Sequence, residues 1–183
     1  MDQNFNPDKQ HTISKSISIS GTGLHTGVLV DMTLNPANPG FGYQFQRVDL
    51  PNQPIIKADC DLVTDTSRGT TLQVGEAKIS TVEHILAALV GLGVDNVLIQ
   101  VNGPEIPIID GSSAPFIEKI EAAGVLEQDA AKAWYSIDEN IFHTILLLGV
   151  LQILAFVVPV SDEQVEETVG QLFREAIGSK PLP

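Results

Sequence analysis

The segment over residues 80–93 carries the clearest helix signal in the chain and therefore constrains the fold most. Ser80 and Glu83 have the spacing of a capping box, in which each side chain satisfies a free backbone N–H at a helix start. Apolar residues then follow at helical spacing: Val82, Ile85, Leu86, Leu89 and Val90. Gly91 and Gly93 predict the end of the helix, because glycine readily adopts the conformation that closes a last turn.

Alternating apolar and polar residues predict strands on both sides of this helix. The strand-like segments are residues 13–20, 28–34, 43–47 and 96–102. A second helix is predicted over residues 115–123, with Gly124 as its stop. The order of strands, helix, strand, loop and helix predicts an α+β layered fold, in which helices pack against a mostly antiparallel sheet.

The polar residues 127–132 predict a boundary between an N-terminal domain, residues 1–133, and a divergent tail, residues 134–183. Residues 141–158 of the tail are strongly apolar, and residues 163–177 have the pattern of an amphipathic helix. The apolar segment is barely long enough to span a membrane, and no cluster of Lys or Arg flanks it. A buried or self-associating segment is therefore favoured, with a membrane helix as the alternative.

Composition narrows the classes of function. The formal net charge of -13 argues against nucleic-acid binding through a basic surface. Cys60 is the single cysteine, so no disulfide within the chain is expected. The first ten residues are polar and have no signal-peptide core, so a cytoplasmic location is the simplest expectation.

Glu83 and His84 are the residues with the clearest chemical potential. A histidine can hold zinc, and an adjacent glutamate can take the proton from a zinc-bound water. The dipeptide alone favours a plainer interpretation, in which the capping box accounts for Glu83 and His84 is an ordinary first-turn histidine. A catalytic zinc usually takes three protein ligands. The chain has four histidines to offer: His11, His25, His84 and His143.

Longer motifs change that balance. The chain contains GTGLHTG at residues 21–27, STVEHILAAL at 80–89, GLGVDN at 91–96 and PEIPIIDGSSAPF at 104–116. In this order they closely resemble the N-terminal half of the zinc-dependent UDP-3-O-acyl-N-acetylglucosamine deacetylase of bacterial lipid A synthesis. The resemblance covers about residues 9–140.

The resemblance implies hydrolysis of the N-acetyl amide of UDP-3-O-acyl-N-acetylglucosamine by a zinc-bound water. It implies that Glu83 is the general base and His84 a zinc ligand. It also implies the first of two similar layered α+β domains, with zinc and substrate between them. A family loop near the zinc corresponds to Ser67, Arg68 and Gly69. These three are weaker candidates, and a solvated surface charge explains Arg68 as well.

Three further residues have plainer expectations. His25 is expected to shape its glycine-rich turn. Asp110 is expected to organise a turn before the second helix, with substrate contact as the less favoured alternative. Cys60 is expected to be a small residue without a metal role.

The chain also departs from the family pattern. The family's second domain supplies two more zinc ligands in a His-Lys-x-x-Asp segment, and a further histidine downstream assists leaving-group protonation. Here His143 precedes Thr144, and Leu147 stands where the aspartate would be. These 183 residues are therefore expected to be inactive by themselves. A non-catalytic UDP-sugar-binding or interaction protein on the same scaffold, with or without a membrane tether, is the alternative.

A short part of the tail has a second, weaker resemblance. Residues 149–155, GVLQILA, are similar to a segment of the hydroxyacyl-acyl-carrier-protein dehydratases, which some bacteria fuse to the deacetylase. Leu154 stands where those enzymes have a catalytic glutamate. The resemblance therefore implies no dehydratase chemistry.

Overall fold

The computed structural model describes residues 6–134, together with the backbone of residues 143–147 and 150–154. The chain divides into two compact units, Met1–Lys132 and Ala133–Pro183. Each unit is described by itself.

The described part of the first unit contains strands, two α-helices and a short 3-10 helix. The strands are β1 Lys9–Ile13, β2 Ile17–Thr22, β3 Leu29–Pro36, β4 Tyr43–Arg47, β5 Ile55–Lys57, β6 Val63–Asp65, β7 Thr71–Val74, β8 Ala77–Ser80, β9 Val97–Val101 and β10 Val125–Ala131. The helices are α1 Glu83–Gly91 and α2 Ala114–Ala123, and the 3-10 helix is Cys60–Leu62.

Five strands form the largest sheet, in the order β2-β3-β9-β4-β5. All of its pairs are antiparallel except β4 with β9. Successive side chains of a strand point to opposite faces of the sheet, and in β3 every second residue is apolar. Val30, Met32 and Leu34 therefore point to the core, where they are fully buried. Smaller antiparallel sheets, β6-β7-β8 and β1-β10, complete the unit. The predicted α+β fold with a mostly antiparallel sheet is confirmed.

Both predicted helices are present, and their apolar faces join the sheet residues in one hydrophobic cluster. The helix residues in this cluster include Ile85, Ala88 and Leu89 of α1 and Phe116 and Ile120 of α2. Gly124, with φ 81°, ends α2, and its N–H bonds to carbonyls of the last turn. The glycine stops expected from the sequence are therefore confirmed, since Gly93 also has a positive φ, 69°, just after α1.

The predicted capping box is wrong. Ser80 is the last residue of β8, and α1 begins only at Glu83, after Val82, which makes no side-chain cap. Ser80 stays extended because it pairs with Thr71 of β7 and forms a further bridge with Glu105. Strand pairing thus prevails over the local capping signal.

The single strand predicted over residues 13–20 is two strands. β1 ends at Ile13 and pairs with β10, whereas β2 begins at Ile17 and pairs with β3. Between them the Ser14 N–H donates to the Gly124 carbonyl oxygen at 2.8 Å. The polar residues 127–131, read from sequence as part of a domain boundary, belong to β10.

In the second unit, the structure describes two strands of the apolar segment 141–158. They are β11 His143–Leu147 and β12 Val150–Leu154, which pair antiparallel. The described part of this segment is therefore extended rather than helical. The amphipathic helix predicted over residues 163–177 lies outside the described residues. Among the helices that are described, none has the length and apolar character needed to cross a membrane. Self-association through this segment stays a prediction.

A buried arginine links two sheets of the first unit. Arg47, at the end of β4, is 6% exposed. Its Nε and Nη2 donate to the two carboxylate oxygens of Asp49 at 2.9 and 2.7 Å, and Nη1 donates to the Lys78 carbonyl oxygen of β8. The hydrogen bonds from Arg47 hold the pKa of Asp49 below its ordinary value.

We expect Asp49→Asn to destabilise the fold by about 2 kcal/mol at neutral pH, because Arg47 stays buried and loses charge-assisted hydrogen bonds. A lowered folded pKa contributes stability that is present above the unfolded pKa and is lost as pH falls through the folded pKa. The melting temperature of the parent should therefore fall more steeply below about pH 4 than that of Asp49→Asn. Asp8→Asn, at an exposed position, is the control, and equal pH profiles for parent and Asp49→Asn would contradict this account.

Candidate active site

Glu83 and His84 lie side by side in the first turn of α1, and both are half-buried. The chain leaves β8 at Ser80 and turns into the helix at Thr81, which is 3% exposed and has φ 61°. A β-branched residue rarely adopts this left-handed conformation, so the turn is strained and depends on its surroundings. A strained turn therefore sets the direction in which the helix start presents Glu83 and His84.

The carboxylate of Glu83 is held by the backbone of the preceding loop. Its Oε2 accepts a hydrogen bond from the Thr70 N–H at 2.9 Å. Gly69 has φ 148°, and a Cβ placed on it would lie 3.1 Å from Glu83 Oε1. The loop thus approaches the carboxylate closely at a position where any side chain would crowd it.

Ser67 and Arg68 are exposed, and the backbone of each makes a hydrogen bond that shapes this loop. The Ser67 N–H donates to Asp65 Oδ1 at 2.9 Å, and this bond is the main cause that lowers the pKa of Asp65. The Arg68 carbonyl oxygen accepts from the His25 ring Nε2 at 2.9 Å. Of the three loop candidates, the structure brings Gly69 against Glu83, while Ser67 and Arg68 shape the loop.

His25 joins the glycine-rich loop over residues 21–27 to the loop that carries Arg68. Its backbone N–H donates to Glu105, and its side chain is exposed apart from the bond to Arg68. The expectation that His25 shapes its turn agrees with these contacts. The ring also contacts a second loop, at the Arg68 carbonyl oxygen.

Glu105 is fully buried and accepts hydrogen bonds from several segments at once. Its donors are the His25 N–H at 3.0 Å, the Thr26 N–H at 2.9 Å, the Thr26 hydroxyl at 2.7 Å and the Thr81 hydroxyl at 3.0 Å. Burial would raise the pKa of the Glu105 carboxyl, but these bonds outweigh it and lower the pKa below the ordinary value. Glu105 is therefore a buried, ionised carboxylate beneath the start of α1.

The loop before α2 carries Asp110 and Ser112. Asp110 accepts from the Ser112 N–H and hydroxyl at 2.9 and 2.8 Å, which confirms the predicted turn. These hydrogen bonds are the main cause that lowers the pKa of Asp110, and an electrostatic interaction with His84 is a smaller cause in the same direction. His84 is therefore close enough to Asp110 to interact with its charge.

The described residues do not assemble a complete zinc site around His84. Within residues 6–134, the one group of three close metal-type side chains is Asp59, Cys60 and Asp61, all exposed. Asp59 has a structural role there, because its carboxylate caps the 3-10 helix by accepting from the Asp61 N–H. A zinc ion held by His84 would need further ligands from outside the described residues.

Sequence reasoning assigned no role to Thr81 or Glu105. The signal for Glu105 was its setting, a carboxylate between Pro104 and Ile106 in an otherwise apolar run. Such a residue is expected to be buried, and a buried carboxylate needs several hydrogen-bond donors. No local pattern reveals that Thr81 is one of these donors, because the bond joins residues 24 positions apart.

Comparison with known proteins gives a consistent result. A family model described as UDP-3-O-acyl N-acetylglycosamine deacetylase matches residues 10–163. A bifunctional enzyme LpxC/FabZ of Bacteroides thetaiotaomicron is 53% identical over 133 residues, which cover 73% of this chain and 29% of that protein. The UDP-3-O-acyl-N-acetylglucosamine deacetylase of Methylococcus capsulatus is 50% identical over 129 residues, 70% of this chain and 42% of that enzyme. The enzyme of the same name from Myxococcus xanthus is 50% identical over 123 residues, 67% of this chain and 39% of that enzyme.

The chain thus spans between 29% and 42% of the length of these curated relatives. The family match covers residues 10–163, and the motifs around Glu83 and His84 lie inside it. On this evidence the chain belongs to the UDP-3-O-acyl N-acetylglycosamine deacetylase family.

Proposed function

We propose that this chain forms the N-terminal part of a zinc-dependent deacetylase that hydrolyses the N-acetyl amide of UDP-3-O-acyl-N-acetylglucosamine in lipid A biosynthesis. The observation that carries the proposal is the placement of Glu83 beside His84 at the start of α1. The names of the relatives from Methylococcus capsulatus and Myxococcus xanthus support the substrate. A cytoplasmic location remains part of the proposal.

Glu83 is proposed as the general base. The Thr70 N–H fixes one carboxylate oxygen at 2.9 Å, and half-burial limits the positions that the carboxylate can take. An oriented carboxylate of this kind can take a proton from an attacking water and deliver it to the departing amine.

His84 is proposed as one zinc ligand. Zinc supplies Lewis acidity, which lowers the pKa of a coordinated water toward neutrality. His84 and Glu83 together are fewer groups than a catalytic zinc site requires. We propose that the remaining ligands come from protein outside the described residues, and that these 183 residues alone have no appreciable deacetylase activity.

The first test is turnover. The purified chain should show no release of acetate from UDP-3-O-acyl-N-acetylglucosamine. A chimera should be active, in which the matched segment of this chain replaces the corresponding 129 residues of the Methylococcus capsulatus enzyme. In this chimera Glu83→Gln should lower kcat by about 100-fold or more, because the general base is lost.

Glu76→Gln is the matched control, since Glu76 is exposed in the turn between β7 and β8. Robust turnover by the chain alone would contradict its proposed dependence on outside ligands. A folded chimera in which Glu83→Gln retains full activity would exclude Glu83 as the base. A folded chimera that binds the UDP-sugar without hydrolysing it would favour the alternative of a non-catalytic binding protein.

A second prediction concerns the loop over Glu83. Gly69→Ala should lower the kcat of the chimera by about tenfold, because its Cβ would crowd the carboxylate at 3.1 Å and its φ of 148° disfavours a side chain. Gly75→Ala is the control: it also has a positive φ, 56°, but its Cβ would meet nothing within 4 Å. Both should lose about 1 kcal/mol of stability in urea titrations. Equal turnover by the two variants would contradict the proposed contact.

A further inference from the structure

The buried carboxylate of Glu105 has no part in the proposed chemistry, yet it lies at the junction of three segments. Ionised carboxylates are unfavourable in a protein interior unless several donors compensate. Here the donors are supplied by His25, Thr26 and Thr81. Because such a carboxylate is costly to bury, it is expected to have a role that an apolar side chain would not fill.

One route leads from Glu105 to Glu83 through the turn. The Thr81 hydroxyl donates to Glu105 Oε1 at 3.0 Å and holds Thr81 at its positive φ of 61°. The two neighbours of Glu105 also bond to Ser80, the residue before Thr81. The Ser80 N–H donates to the Pro104 carbonyl oxygen, and the Ile106 N–H donates to the Ser80 carbonyl oxygen. Glu83 follows Thr81 by two residues, so the turn fixes where its side chain begins.

A second route runs through the loops. The His25 N–H donates to Glu105, and the His25 ring donates to the Arg68 carbonyl oxygen at 2.9 Å. Two residues later the Thr70 N–H donates to Glu83 Oε2. Both routes thus begin at Glu105 and end at Glu83. The first route reaches the backbone of Glu83, and the second reaches its carboxylate oxygen Oε2.

We propose that Glu105 is a positioning residue, which sets the location of the Glu83 carboxylate through the Thr81 turn and the His25–Arg68 contact. The functional meaning of this inference rests on the proposed role of Glu83 as the base. In this proposal Glu105 acts on Glu83 through other residues and has no direct role in the reaction. Its task is to keep the turn and the loop in register with each other.

The test uses hydrogen exchange of the Thr70 amide in the full 183-residue chain, followed by NMR. The Thr70 N–H donates to Glu83 and not to Glu105. A change in its exchange rate therefore reports an effect of Glu105 that reaches Glu83 through other residues. Glu105→Gln keeps the size of the side chain but presents an amide to donors that need an acceptor. We expect Thr70 exchange to rise about tenfold, beyond any change in the amides of the core strand β9.

Thr81→Val and Thr81→Ser separate transmission from general destabilisation. Valine keeps the branched shape and removes the hydroxyl, whereas serine keeps the hydroxyl. Thr81→Val should raise Thr70 exchange by about fivefold, and Thr81→Ser should leave it within about twofold of the parent. This pair also decides the matter if Glu105→Gln does not fold.

The positioning role is overturned if Glu105→Gln speeds exchange at His25 and Thr26 but leaves Thr70 unchanged. It is equally overturned if Thr81→Val and Thr81→Ser give the same Thr70 exchange rate. The readout needs no turnover, so a failure of the proposed deacetylase activity would leave it interpretable. Conversely, an active chimera with unchanged Thr70 exchange in these variants would reject positioning by Glu105 and retain the proposed function.

Discussion

The hydrogen bonds to the buried carboxylate of Glu105 are the interaction on which the geometry of the candidate site depends. They join the glycine-rich loop, through His25 and Thr26, to the strained turn at Thr81. Gly23 shows how closely this region is packed, because a Cβ there would lie 2.4 Å from Glu105 Oε2. The approach of a carboxylate therefore explains why a glycine stands at position 23.

The rest of the fold provides a rigid base for this arrangement. The central strand β9 pairs with β3 on one side and with β4 on the other, and its buried residues belong to the same hydrophobic cluster as the buried faces of both helices. The Arg47–Asp49 pair ties the end of β4 to β8, the strand that leads into the turn at Thr81. Residues that bind or react are commonly held in this way, on short loops fixed by packed strands.

Local patterns in the sequence predicted much of the fold. Helical spacing located α1 and α2, and alternation located β3, β4 and β9, because these signals depend on neighbours along the chain. The break between β1 and β2 was missed, since it arises when two adjacent segments pair with different partners. The capping box failed for a similar reason: strand pairing of Ser80 with Thr71 overrides its local preference.

For the candidate site too, the sequence revealed the local features and missed the contacts between distant residues. Glu83 and His84 were found through motifs, but the network beneath them joins residues far apart in sequence and leaves no periodic signal. Segments that lie far apart along the chain meet around the start of α1, through Glu105, His25, Gly69 and Asp110.

The central proposal is that His84 contributes one ligand to a zinc site whose other ligands lie outside the described residues. The most direct measurement is calorimetric titration of zinc into the purified 183-residue chain and into His84→Ala. The account predicts weak binding by the parent, with Kd above about 1 μM, and loss of that binding in His84→Ala. Tight binding of one zinc per chain that His84→Ala leaves unchanged would contradict it and would direct attention to the exposed group of Asp59, Cys60 and Asp61.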